Sequence, residues 1–312
     1  MFEQEVYQGL TDFPKHLSSK YFYDAQGDKL FQEIMKLPEY YLTNSELEIL
    51  QGHTEAITRH FISEGEAFNL IELGAGDGTK TRILLKHLHE NKISFQYLPI
   101  DISSNVLDEL TTSLTTEFPG LLVKPVQGTY FESLEEICRL DNQRKVILFL
   151  GSNIGNLLHP QAINFLVQVQ QLMSGNDLFL VGFDQKKDPQ RILDAYNDPT
   201  GITEAFNKNI LTRINRELGG DFDLDKFRHW EVYDPETGTA KSYLVSKQAQ
   251  EVYISSLDLR VSFKPWETIH TEISQKYDDD VVAWLARKAG LTILDTFNDQ
   301  HKLFKNYIFK KL

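Results

Sequence analysis

Between residues 68 and 184 the chain alternates short apolar runs with amphipathic stretches, and this constrains the fold more than any other feature. The runs are FNLIEL (68–73), FQYLPID (95–101), LLVKPV (121–126), KVILFLG (145–151) and DLFLVGFD (177–184). Between most of them lie stretches with helical apolar spacing, such as KTRILLKHLHE and HPQAINFLVQVQQLM. Strands alternating with helices predict βαβ units around a parallel sheet. The interior runs are apolar without alternation, as strands covered on both faces must be. The predicted class is α/β, with a Rossmann-like sheet.

After Asp184 the pattern breaks. Residues 189–217 read as helices divided by a turn at Asp198–Gly201. Residues 229–274 read as antiparallel strands, with DPETG (234–238) as a hairpin turn. The end returns to α/β character: DDDVVAWLARKAG is a capped helix, and LTILDTFND with KLFKNYIFKKL forms a closing hairpin. The segment before about His60 reads as helical, and Thr43 with Glu46 and Ser45 with Glu48 form two overlapping capping boxes. The middle block is therefore an α+β insertion. The expected division is a sheet domain of residues 61–188 and 279–312, with 1–60 and 189–278 forming a second, substrate-binding domain.

Composition narrows the function. The chain of 312 residues carries a formal net charge of -13, which disfavours a nucleic-acid partner, because phosphates are held by clustered Lys and Arg. The one cysteine, Cys138, excludes a disulfide framework or a thiolate metal site within the chain and reads as a small helix filler. The N-terminus MFEQEVYQGLTDFPK lacks the pattern of a signal peptide, and no apolar run approaches the ~20 residues of a membrane span. A cytoplasmic monomer with no membrane partner is expected.

LIELGAGDGTKTRILLKHL (70–88) is the most informative local motif. A strand ends at Glu72-Leu73, a turn follows through Gly74, Gly76 and Gly78, and a helix begins near Thr79. Glycines let the backbone turn sharply and let a ligand approach the main chain. Asp101 ends the next strand, where a carboxylate can accept hydrogen bonds from ribose hydroxyls. A phosphate loop would need Gly-Lys-Ser/Thr closing a longer loop, and Lys80-Thr81 after GDGT does not fit. A dinucleotide fingerprint would place its third glycine where Thr79 stands. The spacing Glu72, Gly74, Gly76, Gly78 is similar to the E-x-G-x-G-x-G turn that binds S-adenosylmethionine. That turn, Asp101 and the terminal hairpin together resemble the class I methyltransferases; a purely structural tight turn is the competing reading.

Several stretches then resemble one family. YFYDAQGDKLFQEIMKLPEYYLTNSELEIL, IELGAGDGTKTRILL, YLPIDIS, FLGSNIGNL, DPQRILDAYNDPTGITEAFNKNIL, NRELGGDFD and TEISQKY occur in the order seen in the histidine Nα-methyltransferases that make hercynine for ergothioneine biosynthesis. The resemblance implies a class I methyltransferase sheet, S-adenosylmethionine as methyl donor and a free amino acid as substrate. It implies catalytic positions for Tyr23, near the substrate amine, and Tyr40, on the substrate ring. It places Phe31 at the pocket wall and Asn156 and Tyr196 on the substrate carboxylate. Glu272 and Ser274 would meet the imidazole. Gly74, Gly76, Lys80 and Asp101 would hold the methyl donor, with the Thr129-Tyr130 peptide beside the adenine. Two positions depart from the pattern. Thr129-Tyr130 stands where bacterial relatives often have an Asp-aromatic pair. Ser242 stands where the histidine-specific branch usually has a methionine lining the ring pocket.

The implied chemistry is in-line displacement of the methyl group by a neutral amine. A partly apolar pocket disfavours the ammonium form, and tyrosine oxygens with waters can pass its proton outward. An unperturbed phenol titrates near pH ~10, so Tyr23 is not assigned as a general base. Aromatic faces suit the quaternary ammonium that builds up, at roughly 0.5–2 kcal/mol per contact. A carboxylate at 272 would penalise rings that lack an N–H donor. His87 and His89 diverge on one helix, and His229, His270 and His301 read as structural or surface, so no metal is predicted. Two further functions stay open: methylation of a tryptophan-like or modified amino acid, which Ser242 motivates, and sensing of S-adenosylmethionine without turnover.

Overall fold

The computed structural model describes residues 1–62 and 66–312. In chain order the helices are α1 (Phe2–Thr11), α2 (Ala25–Ile34), α3 (Tyr41–Phe61), α4 (Thr81–Glu90), α5 (Ser104–Glu117), α6 (Tyr130–Leu140), α7 (His159–Leu172), α8 (Pro189–Tyr196), α9 (Ile202–Leu218) and α10 (Asp279–Lys288). The strands are β1 (Phe68–Leu73), β2 (Phe95–Asp101), β3 (Val126–Gln127), β4 (Arg144–Phe149), β5 (Leu178–Asp184), β6 (Phe227–Asp234), β7 (Thr239–Ser246), β8 (Gln250–Ile254), β9 (Leu259–Phe263), β10 (Thr268–Gln275), β11 (Leu291–Asn298) and β12 (Phe304–Lys311).

The chain forms two compact units: Met1–Tyr41 with Lys186–Lys276, and Leu42–Gln185 with Tyr277–Leu312. The second holds a seven-stranded sheet in the order β11-β12-β5-β4-β1-β2-β3. Strands β1 to β5 run parallel, and the β11–β12 hairpin joins antiparallel through β12 on β5. Apolar cores lie on each face of it, one with Ile71, Ile147 and Phe179 and the other with Leu70, Leu148 and Leu180. The α/β class and the closing hairpin are as expected. Strand order reverses between β1 and β4, so the crevice beyond their carboxyl ends is where such a sheet binds ligands.

Three local expectations change. Of the run at 121–126 only Val126 enters β3, with Val123 bridging Tyr97, because Pro125 has no N–H for a ladder. Helix α4 starts at Thr81, with Lys80 as its N-cap, rather than near Thr79. The capping boxes at Thr43 and Ser45 do not form, because α3 already begins at Tyr41 and both residues lie inside it. From Leu42 onward α3 groups with the sheet, so the units divide at residue 41 and not at the expected 60. The reason is its apolar stripe: Ile49, Leu50, Ile57 and Phe61 bury against Phe68, Leu70 and Leu148.

The first unit contains a three-stranded antiparallel sheet, β10-β7-β6, and the β8–β9 pair. Its core joins Phe206, Ile210 and Ile214 of α9 to Phe227, Leu244 and Ile269 of the sheet and to Val6, Leu10 and Phe22. The 234–238 turn closes β6 onto β7, with Gly238 N–H donating to the Asp234 carbonyl.

Candidate active site

In the sheet unit the site begins at the glycine turn. Gly74 and Gly76 have φ of 74° and 53°, values that side chains with a Cβ adopt at a cost. The Gly74 and Ala75 amides donate to the Ile100 carbonyl at 2.9 and 3.2 Å, which draws the turn against the end of β2. A Cβ on Gly74 would stand 2.8 Å from the Tyr130 hydroxyl, whereas one on Gly76 would meet nothing within 4 Å. Gly76 therefore borders open space. The Asp101 carboxylate accepts from the Gly76 amide (3.3 Å) and the Ser103 amide (3.1 Å) and is thereby fixed in direction. Thr129 caps α6, its hydroxyl on Glu132 at 2.5 Å. Burial, with the Asp101 charge adding, pushes the Tyr130 phenol up to about 12.

Lys80 is not alone. Its ammonium pairs at 2.7 Å with Glu46, a residue the sequence reading spent on a cap. Glu46 is buried and also accepts from the Gly151 amide (2.7 Å) and Asn306 (2.9 Å). One carboxylate thus ties α3, α4, β12 and the turn after β4 together. Its signal was available: Glu46 lies three and four residues before Ile49 and Leu50, a charge on the buried stripe of a helix. Glu72, the acidic residue of the motif, is likewise structural. It accepts from Thr81 (2.6 Å) and from Tyr97, and burial lifts its carboxyl to about 7. Asn156 ends a short 3₁₀ turn (Asn153–Asn156) after β4 and is exposed.

The other predicted residues belong to the first unit. Tyr23, 42% exposed, is set by Asp24, which caps α2 and pairs with Arg216 (2.6 Å) and Asn209 (2.8 Å). Burial opposes ionisation of Asp24, but Arg216, the Gly27 amide and Asn209 outweigh it and hold the carboxyl at about 2. Edge-to-face contacts run from Tyr23 to Phe31 (5.5 Å), Phe31 to Tyr40 (6.2 Å) and Tyr40 to Tyr196 (6.4 Å), with Phe206 beneath Tyr23 and Phe31. The Tyr40–Tyr41 pair divides. Tyr40 joins this aromatic row, while Tyr41 is buried under Lys187, whose ammonium lies 4.1 Å from its ring centre and donates to its hydroxyl.

Tyr196 ends α8 and meets Ser274 of β10 at 2.6 Å. The buried Lys276 ammonium donates to both hydroxyls, at 2.7 and 2.6 Å, a partner that sequence reasoning missed. On the same small sheet, Ser242 of β7 lies directly between Glu231 of β6 and Glu272 of β10 in the strand register. The Ser242 hydroxyl donates to Glu231 at 2.6 Å. Burial lifts the Glu272 carboxyl to about 7 against the pull of Lys276 and Ser242. Glu231 is pushed well above the usual carboxylate range, by burial first and by the neighbouring Glu272. Glu231 was also missed.

His229, buried, and His270, half-buried, are parts of this sheet's strands, and His301 is exposed. Burial drives the His229 imidazole down to about 4, so it stays neutral. Cys138 is half-buried with its thiol toward the Leu172 carbonyl. Among the described residues no helix is long and apolar enough to cross a membrane.

Residues 2–311 match the family described as "Histidine-specific methyltransferase, SAM-dependent". The chain is 38% identical to a histidine N-alpha-methyltransferase of Mycolicibacterium smegmatis, over 92% of this chain and 88% of the relative. It is 37% identical to the Mycobacterium tuberculosis protein of the same name, over 95% and 91%. It is 30% identical to ergothioneine biosynthesis protein 1 of Schizosaccharomyces pombe, over 95% of this chain and 39% of that longer protein.

Proposed function

Since the chain belongs to the S-adenosylmethionine-dependent, histidine-specific methyltransferases, we propose that it methylates the α-amino nitrogen of free L-histidine, through to the trimethylated betaine hercynine. The sheet unit is the half that holds the methyl donor, and the first unit is the half that selects the amino acid.

The residues of the sheet unit fit the donor. Asp101 presents an oriented carboxylate for ribose hydroxyls, and Gly76 leaves the room a close-lying ligand needs. Gly74 keeps the Tyr130 hydroxyl against the turn, and Thr129-Tyr130 would flank the adenine. Lys80, braced by Glu46, would meet the amino-acid end of the donor. When bound, S-adenosylmethionine supplies a methyl group already activated on a sulfonium.

The chain's own part is to position and to handle a proton. Orientation of the two reactants contributes on the order of 7–11 kcal/mol. The aromatic row of Tyr23, Phe31, Tyr40 and Tyr196 offers ring faces to the amine as it loses hydrogen-bond donors and becomes a fixed cation. The Tyr23 hydroxyl, on a half-exposed side chain, would pass the amine's proton to water. Tyr196 would take the substrate carboxylate. The reading needs no metal and no second copy of the chain.

The observation that carries the choice of substrate is Glu272, a half-buried carboxyl on a sheet face with Ser242 and Ser274. Left without an N–H partner such a group costs about 1–3 kcal/mol, so carbocyclic side chains are disfavoured there. The Ser242 hydroxyl, engaged by Glu231, keeps that wall polar and speaks against an indole. Incubation with S-adenosylmethionine and a panel of amino acids, followed by mass spectrometry, tests the proposal. Gains of one, two and three methyl groups on histidine are expected; methylation of tryptophan in preference to histidine would refute it.

A further inference from the structure

Ser242 has one proton and two carboxyl neighbours. Strand register sets Glu231 and Glu272 on either side of it, and its hydroxyl donates its one hydrogen bond to Glu231. Lys276 is the cation acting on both carboxyls, but its ammonium is also held by Tyr196 and Ser274. Two carboxyl groups drawn partly out of water around one hydroxyl and one shared cation are a costly arrangement for a structural wall. Apolar side chains would serve a wall better. The arrangement becomes favourable once a partner offers complementary groups to both carboxyls.

We infer that Glu231 is a second specificity residue of the ring subsite, which with Glu272 forms a pair of carboxyl groups matched to a five-membered ring bearing two nitrogens. This rests on the reading that Glu272 meets the substrate ring. An imidazole suits the pair in either state. With one proton on the pair, the acid donates to the bare ring nitrogen and the carboxylate accepts from the N–H. With a protonated ring, both carboxylates accept. An indole or a pyrrole has only one nitrogen and leaves one carboxyl unmatched. Ser242 is the spacer that keeps the two carboxyls on one face, a role a thioether would not fill.

The test compares L-histidine with β-(pyrrol-2-yl)- and β-(pyrrol-3-yl)-L-alanine, which each keep one of the two ring nitrogens at nearly unchanged shape. In the wild-type enzyme both analogues should show a kcat/KM at least about tenfold below that of histidine. Glu231→Leu should lower kcat/KM for histidine about tenfold while moving the better pyrrole analogue less than about threefold, with the Kd for S-adenosylmethionine unchanged by calorimetry. Parallel losses on histidine and both pyrroles would make Glu231 structural and overturn the inference. If Glu231→Leu does not fold, Glu231→Gln takes its place with the same expectation, and a pyrrole analogue equal to histidine in the wild-type enzyme would overturn the inference, because only one nitrogen would then be recognised. Glu272→Ala separates the two readings. If it raises the KM for histidine while Glu231→Leu does not, the ring subsite stands and only Glu231 leaves it. If it has no effect either, the ring subsite falls as well.

Discussion

At the scale of single residues, the candidate site draws titratable groups partly out of water. Glu272 shows the consequence for stability. Its carboxyl titrates at about 7 in the fold, against about 4.3 in an unfolded chain. The folded state therefore holds the extra proton between those values, and stability falls as pH rises through that window. The loss is complete above pH ~7 and is on the order of 3 kcal/mol. Glu272→Gln should flatten that part of the profile in thermal melts from about pH 5 to 8; an unchanged slope would mean that Glu272 is solvated. Tyr196→Phe removes the hydroxyl that Lys276 and Ser274 share, and should raise the KM for histidine roughly tenfold with little change in donor Kd. Ser274 and Glu272 were legible as a pair because period two puts them on one face of a strand. Glu231 and Lys276 were not, since nothing in a strand's own sequence names its neighbour across the sheet.

Among elements, α3 departs furthest from its sequence pattern. The Ser/Thr-x-x-Glu spacing that signals a helix start lies one turn inside the helix, and its first acid is drawn into the sheet's ligand end. Capping competes with any better partner a buried carboxylate can find, and Lys80, Gly151 and Asn306 together are better. A double-mutant cycle with Glu46→Gln and Lys80→Met, read by urea unfolding, should give a coupling of at least about 1 kcal/mol. Additive losses would show that the pair is incidental. Glu46→Gln should also weaken donor binding about tenfold, because Lys80 loses the group that orients it. The parallel strands were easier to foresee, being apolar on both faces. The exception, residues 121–126, carries Pro125 at the sheet's edge.

For the whole molecule, the sheet proposed to hold the donor has its own two cores, so donor binding should register without the amino acid. S-adenosylmethionine at about a hundred times its Kd should stabilise the protein by about 2.7 kcal/mol in histidine-free buffer. Asp101→Ala should abolish most of the resulting rise in Tm; a full rise in that variant would remove Asp101 from the donor's site. The sequence by itself determined the α/β class, the inserted antiparallel block, the glycine turn with Asp101, and the family, because apolar period and turn chemistry are local properties written along the chain. Only the tertiary structure decided where the units divide and that Glu46 anchors Lys80. It alone showed Lys276 between Tyr196 and Ser274, and two carboxyls flanking Ser242. Those are pairings between residues far apart in the chain, fixed by strand register and by the need of every buried charge for a partner.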